Sequence, residues 1–315
     1  MAPQLAWIGL GNMGRGMCKN IVEKGNLSSP LIIYNRTASR AASFSESLGG
    51  PSKAIPVSSI PDAVKPADII FICVGDDQAV ESIISSALET GAGDIKGKLF
   101  VDCSTIHPDT TRKIDAQIRA SGASFVACPV FGAPAMADAG QLICVLSGPR
   151  QEIEKILPYT VGVVARANID LTENTDGESN DIGKASVMKL LGNSFILSFI
   201  EQLGEGMTFA EQSGLGSGPL KQWMELMFPG ALPKYIDRMQ TGDYWKREYP
   251  LFQVDLARKD ARHVMSLAQD NGLRMRSLEI VDLYLQGVRQ HMGERGDVAG
   301  MYGAVRKEAG LKFEN

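Results

Sequence analysis

Residues 5–14 have the sequence Leu-Ala-Trp-Ile-Gly-Leu-Gly-Asn-Met-Gly, in which an apolar run leads directly into the pattern G-x-G-x-x-G. A helical stretch follows to about Glu23. Between a strand and a helix, Gly9 permits a tight turn, Gly11 lets the backbone approach a pyrophosphate, and Gly14 allows close packing of helix on strand. A glycine-rich turn that binds nothing is the alternative interpretation. The stretch predicts that the helix N-terminus holds a dinucleotide diphosphate, with these residues around it: Gly9, Leu10, Gly11, Asn12, Met13 and Gly14.

Further strand-like runs follow the glycine pattern and alternate with helical stretches. This alternation predicts a doubly wound, mainly parallel α/β sheet, a Rossmann domain, over residues 1–168. The predicted strands are Leu5–Ile8, Leu31–Tyr34, Asp68–Val74, Lys98–Cys103, Phe125–Val130, Leu142–Leu146 and Val161–Val164.

The second half of the chain has a different pattern. Residues 170–181 (DLTENTDGESND) are acidic and polar, which indicates a linker or flap over residues 169–182. From Gly183 to Gln212, apolar residues recur at helical spacing and predict one long helix. Later helical periods are broken by glycine and proline without a convincing strand. We therefore expect an all-helical C-terminal domain over residues 183–315 for substrate binding and oligomerisation.

The composition excludes several classes of protein. The 315 residues suffice for two domains, and 44% hydrophobic with 22% charged residues is typical of a globular protein. A net charge of −4 gives no reason to expect nucleic acid as a partner. No apolar run has the roughly 20 residues that a membrane span needs. Because the first strand begins at Leu5, we expect no signal or transit peptide and a cytoplasmic location.

Cysteine and histidine residues give no sign of a metal site. The five cysteines lack C-x-x-C spacing, and the three histidines are far apart in the sequence. We therefore predict no metal, and we interpret the cysteines as small core residues in a reducing compartment.

The end of the second predicted strand carries information on the coenzyme. An NAD enzyme usually has Asp or Glu there, which hydrogen-bonds the ribose hydroxyls, whereas this chain has Asn35-Arg36-Thr37. Arg36 offers a fork of donors to a 2'-phosphate, and Asn35 and Thr37 add neutral donors. This triplet favours NADP(H) over NAD(H). In the alternative, Arg36 and Arg40 only solvate the start of a helix.

Lys189 and Asn193 are four residues apart on the long predicted helix, so both project from one face. Small residues beside them, such as Gly183, Ala185 and Gly192, leave room for a ligand. Burial of an ammonium group is costly, which indicates a functional role for Lys189. The alternative is that Lys189 reaches solvent beside a core stripe.

Five motifs together resemble the β-hydroxyacid dehydrogenases, the family of 3-hydroxyisobutyrate dehydrogenase and the glyoxylate/succinic semialdehyde reductases. The resemblance covers nearly the whole chain and is specific to the family rather than to one substrate. The motifs are the glycine pattern with Met17 and Asn20, Asp102-Cys103-Ser104-Thr105, Pro129-Val130-Phe131-Gly132-Ala133, Gly183–Asn193, and Lys259-Asp260.

The resemblance implies roles for individual residues. Lys189 would exchange a proton with the substrate oxygen as general acid and base, and Asn193 would orient the substrate. Ser104 and Thr105 would line the nicotinamide and ribose, with Ser104 also near the substrate. Lys259, also expected to contact the coenzyme, would close the site together with Asp260, although a surface charge pair is the alternative. Val74 is expected to lie near the coenzyme.

One motif departs from the family pattern. Family members usually have Pro-Val-Ser-Gly-Gly where this chain has Phe131, Gly132 and Ala133 after Pro-Val, and Cys128 replaces the usual acidic residue. Without the serine hydroxyl, the pocket wall is larger and more apolar, while Gly132 and Ala133 still present backbone amides to the substrate. Alternatively, the Phe131 ring turns into the core and leaves the pocket unchanged.

The sequence thus predicts an NADPH-dependent oxidoreductase that transfers hydride between nicotinamide and a small β-hydroxy acid or the matching semialdehyde or keto acid. An imine or bulky-ketone reductase is one alternative, and a non-catalytic NADP-binding regulator is another. Apolar residues of the second domain, Met224 and Leu226 to Phe228, predict a homodimer or homotetramer.

Overall fold

Six short strands form a parallel sheet in the computed structural model of the chain. They are β1 (Leu5–Ile8), β2 (Leu31–Tyr34), β3 (Ala54–Pro56), β4 (Ile69–Ile72), β5 (Leu99–Asp102) and β6 (Ser124–Ala127). Their order is β3-β2-β1-β4-β5-β6, and every neighbouring pair is parallel. The order reverses direction next to β1, which is the strand order of a Rossmann fold and confirms that prediction.

Helices cover both faces of this sheet. They are α1 (Asn12–Lys24), α2 (Ala38–Ser47), α3 (Ile60–Val64), α4 (Asp77–Leu88), α5 (Ala92–Ile95), α6 (Pro108–Ala120), α7 (Pro134–Asp138) and α8 (Arg150–Ile156). Successive strand residues point to opposite faces, so Trp7 packs with α1 in one core and Ile8 packs with α4 and α6 in another. Burial on both faces explains why β1 and β4 are continuous apolar runs and why β5 is apolar up to Asp102.

A second, three-stranded sheet was not expected. It contains β7 (Val130–Phe131), β8 (Leu142–Leu146) and β9 (Ala165–Asp170), with β7 antiparallel to β8 and β8 parallel to β9. The predicted strand over 125–130 therefore ends at Ala127, and its last residue, Val130, is the first residue of β7 in the second sheet. The strand predicted over 161–164 is wrong, because this segment forms a turn and the strand begins at Ala165.

The structure describes residues 2–89, 91–172, 181–230 and 232–315. The chain divides into two units, Met1–Lys189 and Leu190–Asn315. Most of the predicted acidic linker or flap, residues 173–180, lies outside the described residues. The predicted domain boundaries at 168 and 183 both fall within the first unit.

One long helix, α9 (Lys184–Gln212), begins in the first unit and continues into the second. It matches the helix predicted from 183 to 212. The other helices of the second unit are α10 (Ser217–Met227), α11 (Leu232–Gln240), α12 (Asp243–Lys246), α13 (Val254–Asp270), α14 (Arg276–Met292) and α15 (Met301–Glu308). Residues 190–230 and 232–315 contain no strand, in agreement with a helical C-terminal region.

The second unit has its own apolar core. Leu197, Ile200 and Leu203 of α9 pack with buried residues of α13, α14 and α15. None of the helices within the described ranges is long and apolar enough to cross a membrane.

Candidate active site

The glycine turn between β1 and α1 is shaped by two glycines that the fold itself requires. Gly9 has φ +104°, and a Cβ there would overlap the carbonyl oxygen of Cys73. A Cβ on Gly14 would overlap the carbonyl oxygen of Gly9. The indole N–H of Trp7 donates to that same oxygen at 2.8 Å. These contacts fix the path of the turn.

Packing does not require a glycine at position 11. Its φ is −72°, and a Cβ there would meet no other heavy atom within 4 Å. Helix α1 begins after Gly11 with no side-chain cap and no acidic residue in its first turn, where Asn12 is exposed and Met13 partly buried. The open space and the positive end of the helix suit a bound diphosphate.

Asn35 joins the glycine turn to the end of β2. Its side-chain oxygen accepts the N–H of Leu10 at 3.0 Å, and its side-chain amide donates to the carbonyl oxygen of Thr37 at 3.1 Å. The predicted phosphate donor therefore also holds two loops together. Arg36 and Thr37 are exposed, and α2 begins after Thr37 without a side-chain cap.

The ends of β4 and β5 are joined by Ser104. Its hydroxyl accepts the N–H of Val74 at 3.0 Å, and its own N–H donates to Oδ1 of Asp102 at 3.0 Å. Ser104 and Asp102 are both buried, whereas Thr105 and Val74 are partly buried. Ser104, predicted as a ligand contact, thus has a structural role at the carboxyl end of the sheet.

The first turns of α9 are attached to α6 of the same unit. Arg112 binds both carboxylate oxygens of Asp181, through Nε at 2.9 Å and Nη2 at 2.7 Å. The hydroxyls of Thr111 and Ser186, both buried, lie 2.7 Å apart. Because two independent contacts hold this segment, the backbone that carries Lys189 is fixed to α6 of the first unit.

Lys189 is buried, with 8% of its surface exposed, and its Nζ lies 4.5 Å from the centre of the Phe131 ring. Phe131 is partly buried and packs against the core that contains Ile8. The Phe131 ring thus packs on the core and also faces the amine, and its contribution to a substrate pocket stays a prediction. Gly132 and Ala133 follow it as exposed residues, and Gly132 has φ +144°.

The charge of Lys189 acts on the thiol of Cys73. Burial of the thiol, together with the charge of Asp102, raises the pKa of Cys73 to about 12, while the charge of Lys189 opposes this shift. The thiol is therefore neutral at physiological pH.

In the second unit, Asn193 and Asp260 form a buried pair. The side-chain amide of Asn193 donates to Oδ2 of Asp260 at 2.7 Å, and Nζ of Lys259 lies 3.2 Å from Oδ1. The two side chains of this ion pair are 13% and 3% exposed, so a surface charge pair is the wrong interpretation. Oδ1 of Asp260 is buried without a hydrogen bond from the described residues, so Lys259 meets it by charge alone.

Several residues that shape the site were not predicted as such. Trp7, Asp102, Thr111, Arg112 and Asp181 all hold site residues in place through the contacts above. Asp102 offered a signal, because a carboxylate at the end of an apolar strand needs a buried partner. Within the described ranges, no three His, Cys, Asp or Glu residues are grouped as a metal site.

Comparison with known proteins agrees with this geometry. Residues 4–166 match the family model of the NAD binding domain of 6-phosphogluconate dehydrogenase. The chain is 36% identical to the NADH-dependent oxidoreductase ucdB of Aspergillus ustus over 96% of this chain and 98% of the relative. It is 26% identical to glyoxylate/succinic semialdehyde reductase 1 of Arabidopsis thaliana over 86% and 88% of the two chains.

A solved structure supports the same fold. The structure of Psf3 in complex with NADP+ and 2-OPP superposes with a TM-score of 0.80 at 21% identity, covering 96% of this chain and 99% of the other. The matches to the family model and to these relatives define an oxidoreductase with an NAD(P)-binding domain. The chain belongs to the β-hydroxyacid dehydrogenase family, as its motifs predict.

Proposed function

We propose that this protein is an NADPH-dependent oxidoreductase that reduces a small aldehyde or keto acid, or oxidises the matching β-hydroxy acid, with Lys189 as the proton-transfer group. One observation carries the proposal: a lysine that is only 8% exposed is fixed to the unit containing the glycine turn. Burial of an ammonium group is costly, and a buried lysine in a fixed position is a candidate for a functional role.

The preference for NADPH rests on the surroundings of Arg36. No acidic residue occurs from Leu31 to Ser45, and the exposed Arg36 directly precedes Thr37, the N-cap residue of α2, which makes no side-chain cap. Both features favour an extra phosphate. The relative from Aspergillus ustus is named as NADH-dependent, so the two coenzymes need to be compared directly.

The chain's own residues divide the work as follows. The coenzyme, when bound, supplies or accepts the hydride. The glycine turn and the start of α1 hold the diphosphate, while Ser104 and Thr105 line the nicotinamide and ribose. Lys189 gives a proton to the substrate oxygen during reduction and removes it during oxidation. Asn193, held by Asp260, orients the substrate one helical turn further along α9.

Lys189→Met tests the catalytic assignment. This variant keeps the length and apolar stem of the side chain but removes the proton. We expect unchanged NADPH binding by calorimetry and a turnover of succinic semialdehyde or glyoxylate at least about a hundredfold lower. Unchanged turnover would show that the role assigned to Lys189 is wrong.

Arg36→Ala tests the coenzyme assignment. We expect NADPH affinity to fall about tenfold or more while NADH affinity changes little, because only NADPH carries the phosphate. Arg40→Ala serves as a control for a nonspecific loss of surface charge. Stronger binding of NADH than NADPH by the parent protein would overturn this assignment.

A second candidate function is reduction of imines or bulky ketones. The Phe131 ring favours it, because an apolar wall suits a substrate without a carboxylate. Cyclic imines assayed beside short semialdehydes distinguish the two candidates. Tight NADPH binding without turnover across both sets would instead favour a non-catalytic regulator.

A further inference from the structure

The face of the Phe131 ring is turned toward the Lys189 ammonium group, with 4.5 Å between Nζ and the ring centre. The electron-rich face of an aromatic ring attracts a cation within about 6 Å, more strongly where water is excluded. Lys189 is buried, so water screens this attraction weakly.

Both partners are held independently of each other. Phe131 lies in β7, where it pairs with Ile143 of β8, and its ring packs against the core. Lys189 is carried by the helix segment that Thr111 and Arg112 attach to α6. The contact is therefore set by the fold of the first unit.

Other titratable groups act on the same region. Asp102 is buried at the end of β5 and Cys73 is partly buried at the end of β4, and the charges of Asp102 and Lys189 both act on the Cys73 thiol. Because the thiol is neutral below its high pKa of about 12, it adds no negative charge near the amine. The Phe131 ring face is a neighbour of Lys189 that favours the charged form of the amine.

We propose that Phe131 is a positioning residue for Lys189, whose ring face directs the amine and stabilises its protonated form. The proposal rests on the proposed function, in which that proton goes to the substrate oxygen. Phe131 would then set the alkaline limit of the reduction reaction as well as forming a wall of the site.

The test compares variants that keep or remove the ring face. Phe131→Leu and Phe131→Met fill the space without a ring, whereas Phe131→Tyr keeps the ring. We expect the alkaline midpoint of kcat for succinic semialdehyde reduction to move about one pH unit lower in the Leu and Met variants and to stay in place in the Tyr variant. A role only in substrate packing would change KM at every pH without moving this midpoint.

A second readout does not depend on turnover. Competitive labelling of the coenzyme-free protein with acetic anhydride, followed by mass spectrometry of the Lys189 peptide, reports the pH at which the amine loses its proton. The same shift of about one pH unit is expected in the ring-less variants. The Leu and Met side chains differ in shape, so the Met variant provides the measurement if the Leu variant does not fold. The Tyr variant, which keeps the ring, is compared with the parent protein and should show no shift.

The outcomes separate the two proposals. If Lys189→Met abolishes turnover while the labelling and kinetic midpoints stay unchanged in the ring-less variants, the positioning role of Phe131 is overturned and the proposed function stands. If Lys189→Met retains full turnover, the proposed function fails, and the labelling result alone decides whether the ring holds the amine.

Discussion

The indole N–H of Trp7 donates to the carbonyl oxygen of Gly9 at 2.8 Å. This bond fixes the oxygen that a Cβ on Gly14 would overlap, so the first and last glycines of the turn are bound into one packed unit. The middle glycine is outside it. The three glycines of the motif therefore have separable structural and binding roles.

Gly9→Ala and Gly11→Ala are expected to differ sharply. Alanine at position 9 meets both a positive φ and the Cys73 carbonyl oxygen, so we expect a loss of about 2 to 4 kcal/mol in the free energy of unfolding. Alanine at position 11 meets no clash, and stability should change by less than about 1 kcal/mol. Urea unfolding measures both.

Gly11→Ala is expected to affect coenzyme binding more than stability. Folded Gly11→Ala is expected to bind NADPH at least about tenfold more weakly by calorimetry, because the new methyl group occupies the approach of the diphosphate. Full affinity in this variant would place the diphosphate elsewhere.

Asp260→Ala should damage the second unit more than a surface substitution does. It removes the buried carboxylate that accepts a hydrogen bond from the buried Asn193 amide and forms an ion pair with Lys259. We expect a loss of about 2 kcal/mol or more in stability. Glu154→Ala, which removes a carboxylate from an exposed pair with Arg150, is the control and should leave the unfolding midpoint unchanged.

Asp260→Ala also tests whether Asp260 orients Asn193. At a temperature where Asp260→Ala is folded, turnover should fall while NADPH affinity stays near that of the parent protein. Equal losses in both would indicate general damage to the fold.

Glu201 makes stability depend on pH in a defined window. Burial, with the charge of nearby Glu205, raises the pKa of Glu201 from 4.5 to about 7. The folded state therefore holds a proton that the unfolded state has lost between about pH 4.5 and 7, and stability from this group falls as pH rises through that range.

Glu201→Gln should remove this dependence. We expect the variant to be more stable than the parent protein at pH 8, where the parent carries the buried charge, and to approach it at pH 5. Melting temperatures at the two pH values measure this effect. Glu225→Gln, at an exposed position, should leave the melting temperature unchanged at both pH 5 and pH 8. An equal effect of Glu201→Gln at both pH values would argue against titration of this group.

Helix α10 contains no buried residue, and Leu226 and Met227 at its end are 76% and 58% exposed. An apolar surface of this kind is typical of subunit contacts, so we propose a homodimer or homotetramer. Leu226→Glu with Met227→Glu should reduce the molar mass measured by light scattering. Val161→Glu, at another exposed apolar position, is the control. A parent protein that is monomeric at micromolar concentration would contradict the proposal.

Sequence reasoning predicted the elements whose signal is local. β1, β2 and β8 match their predicted bounds, because each is a complete apolar run in a buried sheet. β3 was missed, since three residues ending in Pro56 carry almost no pattern. β9 was misplaced because Ala165–Asp170 is largely exposed and polar, while the apolar residues before it form a turn.

In the site, too, features with a local sequence signal could be predicted and features that depend on distant contacts could not. The glycine turn could be predicted because its spacing and its strand–helix setting are both contained in ten residues. The contacts of Thr111 with Ser186 and Arg112 with Asp181 join residues 75 and 69 positions apart, and no local pattern reports them. The position of Phe131 under Lys189 likewise depends on the second sheet, which was not predicted.

Helix α9 has a practical consequence for protein engineering. Because Lys189 and Leu190 are consecutive residues of one uninterrupted helix, a chimera joined at that peptide bond would splice two half-helices from different parents. Residues within one turn of the join would lose the i+3 and i+4 neighbours of their own parent. Exchanges of the C-terminal part between relatives should therefore place the crossover ahead of Asp181, so that the whole helix comes from one parent, and should keep Thr111 and Arg112 in the other parent as partners of Ser186 and Asp181.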